Sequence, residues 1–101
     1  MVYAEDNLLF RNGDRLSGKL WIYNHNYAII QSVHGNYKIK AKHIRSVTFD
    51  GLRSFRLFLK KQEHRVIRPI YCDSQLIRFQ SEGKVSQISW RQVLLLRIMQ
   101  E

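Results

Sequence analysis

A chain of 101 residues with 45% apolar, 12% aromatic and 25% charged residues has the make-up of one or two small folded domains and is too short for a large enzyme. No apolar run nears the roughly 20 residues of a bilayer-spanning helix, and the single cysteine, Cys72, provides neither an intrachain disulfide nor a thiolate cluster for zinc. Seventeen Lys plus Arg against eight Asp plus Glu give +9, a balance that favours a polyanionic partner, nucleic acid before a membrane surface.

Small polar turn groups recur along the chain at Asn12-Gly13-Asp14, Asn24-His25-Asn26, His34-Gly35-Asn36, Asp50-Gly51, Cys72-Asp73-Ser74 and Ser81-Glu82-Gly83. Between them the sequence alternates. Leu16, Leu20 and Ile22 fall on one face of their segment, Arg15, Lys19 and Tyr23 on the other. With β-branched and aromatic residues concentrated in 27–33, 37–40 and 44–49, the pattern predicts an all-β chain. Strands are expected near 8–11, 14–23, 27–33, 36–41, 44–49, 54–60, 64–72, 75–80, 84–89 and 93–98. One segment is two-sided: Leu52, Phe55 and Leu59 also fit a helical spacing, while the alternation of Phe55, Leu57 and Leu59 favours a strand.

Aligning the chain on itself at a shift of about 50 residues pairs Arg15-Leu16 with Arg65-Val66, Leu20-Trp21 with Ile70-Tyr71, and Gly35 with Gly83. The same alignment sets Ile44 and Val47 against Val93 and Leu96. This predicts a β unit over 5–50 and a second over 51–101, two degenerate copies too small to stand apart and therefore sharing a core. Chance likeness between two strand-turn-strand runs is the alternative. The run Val93-Leu94-Leu95-Leu96, apolar on both faces, suits a strand lying between the copies or at a subunit interface.

The first half resembles a known family. The stretch Leu9-Phe10-Arg11-Asn12-Gly13-Asp14-Arg15-Leu16-Ser17-Gly18-Lys19-Leu20, followed by Tyr23-Asn24 and Tyr27-Ala28-Ile29-Ile30, is similar to the first motif of Sm-like proteins. The run Lys42-His43-Ile44-Arg45-Ser46-Val47 resembles the second motif of the bacterial Sm-like RNA chaperones of the Hfq type. This resemblance, over about residues 8–49, implies a small five-stranded Sm-like or SH3-like barrel, possession of edge strands that pair with neighbouring subunits, and binding of single-stranded RNA by a homo-oligomer. A second likeness competes, because Leu-x-x-Asn-Gly-Asp-Arg-Leu-Ser-Gly also looks like the β-rich N-terminal segments of exported bacterial proteins. Val2-Tyr3-Ala4 has the small-residue spacing of a signal-peptidase site, though no charged and apolar leader precedes it. A cytoplasmic location is expected, with a periplasmic or secreted one as the alternative.

Ten of the basic residues lie between Lys38 and Arg68, against Asp50 and Glu63. Period two sets Lys38, Lys40 and Lys42 on one face, a line of ammonium groups able to track phosphates or simply to form a solvated face. The resemblance implies base stacking for Tyr27, with phosphate and base contacts for Lys42 and His43, and Arg45 belongs to the same basic run. Trp21 and Phe49 are better suited to core or interface. Four scattered histidines without carboxylates at ligand spacing give no expectation of a metal, and Cys72 has no partner base. There is no Gly-rich phosphate loop, nucleophile elbow or close carboxylate pair, so neither catalysis nor a cofactor is expected. The competing function is a non-catalytic β-barrel interaction module, exported or phage-borne, that recognises an acidic protein or membrane surface.

Overall fold

The structure is a computed structural model that describes residues 5–99; the Val2-Tyr3-Ala4 spacing lies outside the described residues. Ten strands follow one another: β1 Asp6–Phe10, β2 Arg15–Asn24, β3 Tyr27–Ser32, β4 Gly35–Lys40, β5 Ile44–Thr48, β6 Phe55–Leu59, β7 His64–Asp73, β8 Leu76–Ser81, β9 Lys84–Ser89 and β10 Val93–Ile98. Single 3-10 turns, Ala41–His43 and Trp90–Gln92, lead into β5 and β10. Alternation decides the faces, except in β2, where an irregularity between Leu20 and Ile22 turns Tyr23 into the core on the side of Leu20, against the face expected for it. In β3, Ala28 and Ile30 are buried while Tyr27, Ile29 and Gln31 look outward; in β6, Phe55, Leu57 and Leu59 are buried, so the strand alternative for that segment holds over the helical one.

The strands close on themselves in the order β1-β5-β7-β6-β10-β2, with β2 returning to β1, and the small all-β barrel expected from the sequence is therefore present. It has six strands, three from each half of the chain, rather than the five that the resemblance implies, because neither half closes on itself and each supplies three strands to one shared ring. The hairpin β3-β4 extends from β2 and β8-β9 extends from β7, leaving β4 and β9 as the free edges among the described residues. Pairings in the two halves match in kind: β1-β2 with β6-β7, β2-β3 with β7-β8, β1-β5 with β6-β10, and β10-β2 with β5-β7. Every strand of the second half begins 49 residues after its counterpart, as Asp6 to Phe55 and Ile44 to Val93. Ile44 and Val47 thus correspond to Val93 and Leu96, whereas Arg15 lies opposite His64 and Gly35 opposite Lys84, one residue off the alignment read from sequence.

The core runs through both halves. Leu8, Leu20, Val47, Leu57, Ile67 and Leu96 are among its fully buried side chains. β10 lies between β6 of its own half and β2 of the other, with Val93 and Leu96 buried and Leu94 half exposed, so the apolar run does occupy a strand between the halves. Where β10 meets β2, Tyr23 stacks on Trp90 with centroids 4.9 Å apart and His25 Nε2 lies 2.6 Å from the Val93 carbonyl. The counterparts of Tyr23 and Trp90, at the other seam, are the small residues Cys72 and Ala41.

Two positions in β1 and β2 carry special constraints. Gly18 is where β2 leaves β1 for β3, and a Cβ there would stand 2.3 Å from the Gln31 carbonyl oxygen, so only glycine fits. Asp6 is fully buried; its carboxylate accepts the Leu20 N–H at 2.9 Å and meets Arg53 at 2.8 Å, and Arg53 also reaches Asp50 at 3.1 Å. Burial pushes the Asp6 carboxyl above its ordinary range, and the Leu20 N–H and the Arg53 guanidinium oppose that only in part.

Candidate nucleic-acid interface

The outer face of β2-β3-β4 is built by register. Lys19, Gln31 and Asn36 form one cross-strand row; Ile29 and Lys38 lie in the next, Tyr27 and Lys40 in the last. Lys38 leans diagonally so that its Nζ is 4.5 Å from the Tyr27 ring centroid, and Lys19 Nζ lies 5.2 Å from that of Trp21. Trp21 is half-buried and its indole N–H donates to Gln31 Oε1 at 3.2 Å, whereas Phe49 is a core residue packed edge-on to Phe55. Aromatic rings and ammonium groups therefore alternate over one surface.

Tyr27 is positioned by the turn before it. Asn24 Oδ1 accepts the N–H groups of Asn26 at 2.8 Å and Tyr27 at 2.9 Å, closing an Asx turn. The Asn26 carbonyl then accepts the Ala41 N–H at 2.9 Å and so holds the first 3-10 turn beside it. That turn breaks the period-two line predicted for the lysines: Lys38 and Lys40 share the outer face of β4, but Lys42 sits in the 3-10 turn, where successive side chains no longer alternate. Arg45 is exposed at an irregularity in the β1-β5 pairing and does not join the cleft described next.

Arg11 was not singled out as a binding residue by the sequence. Its N–H donates to the His43 carbonyl and its Nε to the Lys42 carbonyl, both at 3.0 Å, tying the β1-β2 turn to the 3-10 turn. Between these turns and the free edge of β4 lies a shallow cleft with Phe10 and Ile39 at its base and Arg11, Lys38, Lys40 and His43 around it, Asp14 being the one acidic side chain. Gly13, with φ of +94°, makes the tight turn that brings Arg11 there. The only sequence signal for Arg11 was its place in the Asn-Gly turn motif.

The positive charge is available. Among the described residues the ion pairs are both made by Arg53, so the cleft cations have no carboxylate within 4.0 Å. Among those residues, too, no group of three or more His, Cys, Asp or Glu is gathered to hold a metal. Cys72 is buried, and burial, with the Asp73 charge adding to it, pushes its thiol well above the ordinary range, which suppresses the thiolate. No helix among the described residues is long and apolar enough to cross a membrane.

Neither a family model, nor a curated protein, nor a solved structure matches this chain.

Proposed function

We propose that the chain is an Sm-like protein, made of two degenerate copies of one β unit, that binds single-stranded RNA without catalysing a reaction and works in the cytoplasm as a homo-oligomer. The observation that carries this is the cationic surface formed by Lys38 over the Tyr27 ring and Lys40 opposite it in register, without ion-pair partners among the described residues and continuous with the cleft of Arg11 and His43. A ring contributes about 1–3 kcal/mol per stacked base and tolerates any sequence, while the ammonium groups neutralise phosphates. A strand laid across the rows would exchange the lysine on Tyr27 for a base and place Lys38 on the backbone. Self-association is expected through β4 or β9, since β5 and β10 are each paired on both sides within the chain.

Binding of oligo-uridine and oligo-adenine over a salt series tests this. Lys40→Ala should make the slope of log K against log salt shallower by about 0.7, the effect of one lost single-strand phosphate contact. Tyr27→Ala should weaken binding by about 1–3 kcal/mol and leave the slope in place, because stacking releases no counterions. Absence of binding by the wild-type chain at about 100 mM salt overturns the reading and turns attention to an acidic protein or membrane surface.

A further inference from the structure

The cleft at Arg11 has a counterpart in the second half that no sequence motif marks. The backbone bonds that frame the first cleft recur at the same 49-residue shift. The Phe10 N–H donates to the Asp14 carbonyl at 2.8 Å, and the Leu59 N–H to that of Glu63 at 2.8 Å; the Arg11 N–H meets the His43 carbonyl at 3.0 Å, and the Lys60 N–H that of Gln92 at 3.0 Å. Gln62, with φ of +62°, takes the left-handed conformation that Gly13 takes in the first turn. A non-glycine residue costs roughly 1 kcal/mol there, and the turn keeps its shape regardless. The resulting hollow has Leu59 and Ile88 where the first has Phe10 and Ile39, and it is bordered by Lys60, Lys61, Arg65 and Arg91, with Glu63 in the place of Asp14. None of these four cations has an ion-pair partner among the described residues.

The residues that differ matter as much as those that agree. Lys38 and Lys40 of the first cleft are replaced by Gln87 and Ser89, yet basic side chains reappear from other elements: Lys61 for Asn12, Arg65 for Leu16. A cationic border over an apolar base is thus reached twice with different side chains. No aromatic ring lines the second cleft, so it suits phosphate contact rather than base stacking.

Building on the RNA-binding reading, we infer that the cleft of Lys60, Lys61, Arg65 and Arg91 is a second phosphate-binding site for single-stranded RNA, which makes each chain bivalent. Two sites on one chain turn the second contact into an intramolecular event for a strand long enough to reach both.

The test uses fluorescein-labelled oligo-uridine of about 6 and about 30 nucleotides, chosen around the single-module site sizes of such proteins. The double variant Lys61→Ala/Arg91→Ala, at exposed positions, is compared with Lys38→Ala/Lys40→Ala after thermal melting shows both folded. The wild-type chain should take up two short strands, and the Lys61/Arg91 variant one. On the long strand that variant should lose at least about tenfold in affinity and its salt slope should become shallower by about 1.4, twice the single-contact value. If it keeps the wild-type slope and stoichiometry while the Lys38/Lys40 variant loses binding, the second site is overturned and the RNA-binding reading stands. If the wild-type chain binds neither oligonucleotide, both fall together.

Discussion

At Asp6 and Leu20 in the first half, and at Phe55 and Pro69 in the second, one place in the fold is solved in two ways. Leu20 lies at an irregularity in the β2-β3 pairing, and its N–H is taken by the buried Asp6 carboxylate. Pro69 lies at the matching irregularity between β7 and β8, has no N–H to satisfy, and belongs to the half in which Phe55 stands in the place of Asp6. A donor with a charged acceptor on one side, and no donor with an apolar ring on the other, both leave no unpaired backbone N–H at that position. Equivalent strands therefore do not imply interchangeable residues; the unit that must be kept is the pair.

The sharpest way to break that equivalence is Asp6→Ala. It strands the Leu20 N–H and removes one of the two carboxylates facing Arg53, so about 3–5 kcal/mol of stability should be lost in urea unfolding at neutral pH. A loss below about 1 kcal/mol would mean that water or Asp50 takes over. The same residue sets a pH dependence. Its folded pKa lies above its unfolded value, so the folded state holds the extra proton between the two, and stability should fall as pH rises from about 4 through the raised pKa. Asp6→Ala should flatten that part of the profile.

Next in size is Gly18→Val, where the added side chain meets the Gln31 carbonyl; about 3 kcal/mol should be lost, read as a lowered melting midpoint. The second half has Ile67, fully buried, at the matching position, so β7 and β8 must leave room there that β2 and β3 do not. An unchanged midpoint would show that β3 can simply move away. The smallest effect is expected of Pro69→Ala, which restores an N–H where no carboxylate waits. It should cost about 1–2 kcal/mol by the same measurement, and a gain in stability would mean that the donor finds another acceptor.

Much of the fold was written locally in the chain. All ten strands fall where period-two alternation and the small polar turns set them, Gly18 marks the bend in β2, and the apolar run at Val93 to Leu96 does lie between the halves. What alternation could not reveal is which distant strands meet, because β5 with β7 and β10 with β2 pair across the halves and nothing local records a partner. Of the candidate interface, Tyr27, Lys38 and Lys40 come together as cross-strand register requires, and His43 joins the two lysines at the cleft. Lys42 leaves the line because a 3-10 turn interrupts the strand pattern. Arg11 and the second cleft are not legible in the chain because their signal is a pattern of backbone bonds, and in the second turn Gln62 stands where an Asn-Gly signature would have had its glycine.

The closure of the barrel has a bearing on how the chain reaches its fold. β10 pairs with β2, joining Leu95 to Asn24 across most of the sequence, so the ring of strands cannot be completed until almost the whole chain has been synthesised. Barrels dominated by such distant pairings fold slowly, on the order of milliseconds to seconds. Until then the first half presents the open sides of β2 and β5, which are the edges its own second half will fill. At high concentration those edges can be filled by the second half of another molecule instead, and an exchanged dimer, each barrel built from three strands of each chain, is the misassembly this topology invites.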